Sequence, residues 1–228
     1  MKYLCKAYSK IFLFQIFMLS MVGLAQPVTM GVVGGMSICG ILPRTPVCTA
    51  AIRGSYGLSF NYDGIKHLSL SIGLEDDRKG FQSYYIHDGN FFDPEPGIFA
   101  DVFTFNYLSV PLGLNLRFGN HIYYLFGIGI SPELHMNAFD NRVVSVNQTA
   151  QIPVYGRLEI HDATKFDLSE FNNFTIGKRL SKRLSAEFAM KYQVSLRSIS
   201  NKQYLSMLNL RSHLLNLSVG LRIKIFSG

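Results

Sequence analysis

Tryptophan is absent, cysteine occurs three times, and charged residues make up only 16% of the 228-residue chain. Soluble domains usually carry about 25% charged residues, so a well-solvated surface is the first thing this composition argues against. No basic run is interleaved with aromatics, which speaks against nucleic-acid binding. There is no Gly-rich phosphate loop between a strand and a helix; GVVGG at 31–35 reads as strand glycines. No Cys or His spacing suggests a metal centre. Internal repeats, low-complexity tracts and a linker that would split the chain are also missing. The aromatic load falls on 12 Tyr and 18 Phe.

The first 25 residues stand apart. Lys2, Lys6 and Lys10 precede the apolar run IFLFQIFMLSMVGLA (11–25), which ends in small residues. This is the pattern of a secretory signal peptide, with cleavage after Ala25. The run is short for a spanning helix, which needs about 20 apolar residues. Cys5 lies before it, the wrong side for a lipoprotein signal. Removing this segment, which contains no acid, takes the formal charge from +7 to +4 and leaves one domain at 26–228. Cys39 and Cys48 then remain. An oxidising compartment permits a disulfide between them, and two free thiols are the equal alternative.

The rest of the chain alternates. In HIYYLFGIGISPELHM (121–136), Ile122, Tyr124, Phe126, Ile128, Ile130, Leu134 and Met136 share one phase. The other phase holds His121, Tyr123, Gly127, Gly129, Ser131, Glu133 and His135, with Leu125 its one large aliphatic. The same period of two runs through 52–62, 68–75, 108–118, 184–196 and 215–225, so these are strands. Residues 28–40 and 167–179 are fainter, the latter with Phe174 and Ile176 as its outward pair, and bring the count to eight. Short turns at Asp63-Gly64, Gly119-Asn120 and Ser181-Lys182 alternate with long polar stretches near 41–50, 80–103, 137–166 and 199–210. Short turns on one side and long loops on the other are the habit of membrane β-barrels. The expectation is an all-β, eight-stranded antiparallel transmembrane β-barrel in the outer membrane.

A soluble, lipocalin-like barrel would put the apolar phase inside. Here the polar phase is rich in Gly, Ser and Ala, which suit a narrow lumen. The apolar phase is large and nearly free of charge, as a lipid-facing surface must be. Phe60, Tyr62, Phe118 and Tyr124 lie on it near the short turns, like an interfacial girdle. The inward phase carries Arg53, Glu75, Arg117, Glu133, Glu187, Lys191, Arg197 and Arg222, with Lys224. Buried charges need partners, so ion pairs filling the lumen are expected.

YLSVPLGLNLRFG (107–119) followed by YYLFGIGISPEL (123–134) resembles the PorT-like outer-membrane β-barrel family of Gram-negative bacteria. SYGLSFNYDGIKHLSLSIGLE (55–75) looks like that family's preceding hairpin. SAEFAMKYQVSL (185–196) and LNLSVGLRIKIF (215–226) look like its last two strands. The family pattern closes on a terminal aromatic, whereas Phe226 here precedes Ser227 and Gly228 and sits on the polar phase. Pro111 lies mid-strand without a donor, so a bulge is expected there.

Candidates for chemistry are few. Ile-His-Asp occurs twice, giving His87-Asp88 and His161-Asp162 in long loops. A His beside a carboxylate could serve a rim-located hydrolase or acyltransferase as general base. Adjacent residues of a strand point to opposite faces, however, and no Ser is singled out as nucleophile. Glu133 and His135 share a phase without an evident third metal ligand. The expectation is therefore a non-catalytic envelope barrel without a cofactor. It would contact outer-membrane lipid, and other envelope proteins through its long loops, as an interaction, assembly, secretion or uptake component. The resemblance favours that class; a rim-site enzyme and a soluble periplasmic binder are the alternatives.

Overall fold

A computed structural model describes residues 28–42, 48–65, 67–87, 97–145, 156–159, 164–198 and 211–225. Among them there is no helix. The strands are β1 (Val28–Leu42), β2 (Cys48–Ile65), β3 (Leu68–His87), β4 (Gly97–Ser109), β5 (Leu112–Gly119), β6 (Ile122–Ser145), β7 (Gly156–Glu159), β8 (Phe166–Arg179), β9 (Leu184–Ser195) and β10 (Arg211–Lys224).

Every pairing is antiparallel, and β1 pairs with both β2 and β10. β4 and β5 form one wall strand interrupted at Val110-Pro111, each lying between β3 and β6. β7 adds a short flap to β6. The eight wall strands thus close on themselves, β1–β2–β3–β4/β5–β6–β8–β9–β10 and back to β1. Closure matters because an open edge has no hydrogen-bond partner in hydrocarbon.

Pro111 breaks the strand because it cannot donate to a ladder. Neighbouring backbone bridges the gap. Gly73 N–H donates to the Pro111 carbonyl at 2.9 Å, and Val110 N–H to the Pro132 carbonyl at 2.9 Å.

The short turns have their own chemistry. β2 runs two residues past Asp63 and takes up the excess in a register shift between Tyr62 and Ile65. The reversal is made at His67, whose φ of 63° is left-handed. The turn therefore falls later than Asp63-Gly64 because Asp63 is drawn inward. Gly119 has φ 88°, where a side chain would be strained. At the third turn, Ser181 Oγ accepts from the backbone N–H of Arg183 and Leu184, at 3.2 and 3.1 Å.

Two stretches expected as long loops are partly strand. β3 continues to His87 and pairs with β4 from Gly97, and β6 extends to Ser145. The run Asp76-Asp77-Arg78-Lys79, between the expected strand 68–75 and the expected loop near 80–103, alternates as part of β3. Asp76 and Arg78 pair with each other at 3.2 Å, while Asp77 and Lys79 are buried.

The apolar phase faces out. Ile122, Tyr124, Phe126, Ile128, Ile130, Leu134 and Met136 are all exposed, Ile128 at 63%. Val32, Met36, Leu70, Leu74, Leu114, Leu116, Phe188, Met190, Val219, Leu221 and Ile223 continue the belt on other strands. Near the short turns Phe118, Tyr124, Phe126 and Phe174 form a run of ring contacts at 4.8–6.4 Å. An outward apolar phase rules out the lipocalin-like packing, which needs that phase inside.

Candidate functional site

The interior of the barrel is where chemistry-bearing side chains converge, and it is built in two layers. The layer toward the long loops centres on Lys79. Its Nζ meets Glu133 Oε2 at 2.5 Å and Asp167 Oδ2 at 3.5 Å, and donates to Ser169 Oγ at 3.1 Å. These three charged side chains are 2%, 0% and 3% exposed. Gln193 donates to Glu133 Oε1, and Ser195 Oγ donates to Asp167 Oδ2 at 2.5 Å. Beside them Lys191 pairs with Glu75 and lies 4.0 Å from Asp77, which accepts from Ser109 Oγ at 2.6 Å. The two ammonium groups also sit over rings, Lys79 over Tyr107 and Lys191 over Phe171, at 5.1 and 5.9 Å. Four carboxylates and two ammonium groups from β3, β6, β8 and β9 thus cross-link the lumen.

Below this plug, small residues let aromatic and amide side chains span the bore. A side chain at Gly177 would run into the Tyr123 ring, and one at Gly129 into Phe171. Asn173 donates to Asn115 Oδ1 at 3.2 Å, and both crowd the space over Gly127.

The layer at the short-turn end is different. Arg117 pairs with Asp63 at 3.0 Å and stacks over Tyr123 at 4.3 Å. Tyr123 Oη donates to Glu187 Oε1 at 2.5 Å, and the other oxygen of Glu187 takes Arg222 Nη2 at 2.8 Å.

Of the residues read as inward charges, Glu75, Arg117, Glu133, Glu187, Lys191 and Arg222 meet in these two layers. Arg197 does not. It lies past the end of β9, exposed, with its guanidinium 5.4 Å from the Phe166 ring. Among the described residues Arg53 reaches no carboxylate; it donates to Thr104 Oγ1 at 3.0 Å and to the Ile52 carbonyl at 2.9 Å. The register of β2 on β3 slips between Ala50 and Tyr56, beside Arg53. Cys39 is a buried free thiol whose Sγ lies 3.0 Å from the Arg78 carbonyl oxygen. The side chain of Cys48 lies outside the described residues. So do the side chain of His87, all of Asp88, His161 and Asp162, the segment 1–25 expected to be a signal peptide, and Phe226.

Asp63, Asp77, Lys79 and Asp167 are the partners that sequence reading did not supply. The signal for two of them was present. Glu75, Asp77, Lys79 and Phe81 keep the inward phase of β3 without a break.

A closed sheet with hydrocarbon outside and paired charges inside has one solvent in which it is stable. This is a transmembrane β-barrel of the outer-membrane type. It belongs in the outer membrane, where the short turns face the periplasm and the long connections face out.

No family model matches the chain, and no curated protein matches it. Among solved structures it is similar to Neisserial surface protein A, at 13% identity and a TM-score of 0.48, covering 86% of this chain and 97% of that one. OprG of Pseudomonas aeruginosa gives 11% identity and 0.44, over 89% and 98%. Ail, the attachment invasion locus protein of Yersinia pestis, gives 9% and 0.41, over 86% and 98%. Similarity this low passes no role to this chain.

Proposed function

We propose that this chain is a non-catalytic barrel whose work is done at its ends, as an interaction or assembly component of the cell envelope. The supporting observation is the plug. Lys79, Glu133 and Asp167 bridge β3, β6 and β8 with almost no exposed surface. A solute path through them would have to separate buried, mutually paired charges, which is expensive. What an eight-stranded barrel of this kind offers to partners is its rims and its belt.

The rim on the long-loop side is extended by strand. β3, β4 and β6 stay paired out to His87–Gly97 and Ile98–Ser145. A rim built of paired strands offers a protein ligand a preformed surface at low entropic cost. The belt contacts outer-membrane lipid, and the long connections contact other envelope proteins. The PorT-like resemblance points to the same class, with secretion or uptake as the setting.

The test is photo-crosslinking from β3, β4 and β6 positions in the native membrane, with mass-spectrometric identification of the products. One recurrent envelope protein crosslinked from this rim is the expected result. Alanine at His87 and at His161 should leave that crosslink and the envelope phenotype intact. Loss of phenotype with either variant while the crosslink persists would instead favour catalysis at the rim.

A further inference from the structure

Beyond its role as an envelope barrel, the periplasmic mouth of the lumen carries a second arrangement. A cavity of about 310 Å³ opens among the short turns. Six cations line it: Arg117, Arg179, Lys182, Arg183, Arg222 and Lys224. Among the described residues two carboxylates answer them, Asp63 on Arg117 and Glu187 on Arg222. Among the described residues, no ion pair engages Arg179, Lys182, Arg183 or Lys224.

Arg222 gives the cavity its built character. The residue is 8% exposed, and one nitrogen, Nη2, is spent on Glu187. Its Nε and Nη1 are buried and donate to nothing. Thr29 Oγ1, on the same wall, is also buried and without a partner. Two guanidinium donors left dry are costly unless a ligand takes them. A free guanidinium donor gives a charge-assisted hydrogen bond to an oxygen of a phosphate or carboxylate. Arg222 lines a bowl with a large excess of positive charge. Inward of it Tyr123 and the plug bar the way, and the plug has more carboxylates than ammonium groups. An anion could enter the bowl and could not travel on.

We propose that the periplasmic mouth binds a phosphate group, held by an unpartnered guanidinium donor of Arg222 and by Thr29 Oγ1 and surrounded by Arg179, Lys182, Arg183 and Lys224. Phosphate is favoured over a carboxylate because its oxygens can use several converging cations at once, whereas one arginine satisfies a carboxylate. The group can arrive as free phosphate or as the headgroup of an anionic phospholipid from the inner leaflet.

The experiment uses the full mature chain in a neutral detergent. Inorganic phosphate is titrated by calorimetry, with chloride as the control. In parallel, the chain is placed in nanodiscs with and without phosphatidylglycerol and released for native mass spectrometry. Saturable phosphate binding with no retained lipid identifies free phosphate. One retained phosphatidylglycerol, displaced by phosphate, identifies the headgroup. The variant Arg179→Ala/Lys182→Ala/Arg183→Ala changes exposed side chains at the end of β8 and in the following turn, so it should fold. It should weaken binding about tenfold or more, the worth of one or two charge-assisted hydrogen bonds. R222K keeps the charge for Glu187 and removes the spare guanidinium donors, and should weaken phosphate binding while leaving the heat-dependent gel mobility of the barrel unchanged. Failure of phosphate and lipid to bind overturns the proposal. So does binding that both variants leave intact, or binding of polyglutamate in place of phosphate.

Discussion

Lys79 and Glu133 face each other across the lumen with 2% and 0% of their side chains exposed. One comes from a charged run of β3 and the other from the middle of the most apolar stretch of β6. Neither residue could be carried into a membrane on its own strand. Each is tolerable because the other, with Asp167, Ser169 and Gln193, supplies the counter-charge and hydrogen bonds that water would have given.

Removing one partner should therefore cost more than removing two. Lys79→Met leaves Glu133 and Asp167 uncompensated and should destabilise the barrel by about 3–5 kcal/mol. Lys79→Met combined with Glu133→Gln should recover part of that loss. Urea unfolding in micelles, run as a double-mutant cycle, measures both. Strict additivity would show that the two side chains do not interact.

Gly177 and Tyr123 are register partners on β8 and β6, and the tyrosine ring lies over the glycine. Gly177→Ala should cost about 1–3 kcal/mol through overpacking, and Tyr123→Ala should relieve the clash in the double variant. If Gly177→Ala unfolds at the wild-type urea midpoint, the ring does not rest there.

The belt predicts a solvent-specific effect. Ile128→Arg places a charge on the lipid-facing phase and should cost about 2–4 kcal/mol for folding into bilayers. Ile128→Leu should be close to neutral. Equal stability of Ile128→Arg and the wild type in bilayers would mean that this face does not meet hydrocarbon.

Cysteine chemistry separates the two states left open for Cys39 and Cys48. In a Cys48→Ser chain, the buried Cys39 thiol should resist a maleimide–polymer reagent while folded and react after denaturation. The mature wild-type chain, denatured without reductant, should add the reagent twice, as the free Cys39 thiol requires; no addition would mean a Cys39–Cys48 bridge. A band shift on a gel reports each case.

A planar-bilayer recording tests the plug directly. The wild-type barrel should show no sustained conductance. Steady ohmic steps at neutral pH would place an open path where the Lys79 layer lies.

The wall of the barrel was legible because each strand declares its faces locally. From Ile122 to Met136 the odd and even positions separate cleanly, and burial follows them. Charge partners were less legible, because a counter-ion is supplied by a different strand. Asp63 reads as a turn residue until Arg117 is seen 54 positions away in sequence and 3.0 Å away in space. Asp77 and Lys79 fall past the expected strand 68–75, where they alternate with Asp76 and Arg78, whose own pairing keeps those two nearer the surface. Asp167 lies on a strand whose weak pattern reflects a lumen lined by Ser169, Phe171 and Asn173, with little contrast against the outer phase.

The ladder that closes the wall joins Thr29–Leu42 to Arg211–Lys224 through fourteen register pairs. Those partners are the two ends of the folded chain, so the seam cannot form until the last strand has been made and exported. Until then the polypeptide carries two unsatisfied edges and a greasy outer face through water. The consequence is one of timing: the barrel can be sealed only after its last strand has joined its first. A truncation that removes β10 would leave every other pairing possible in principle and the cylinder unsealed.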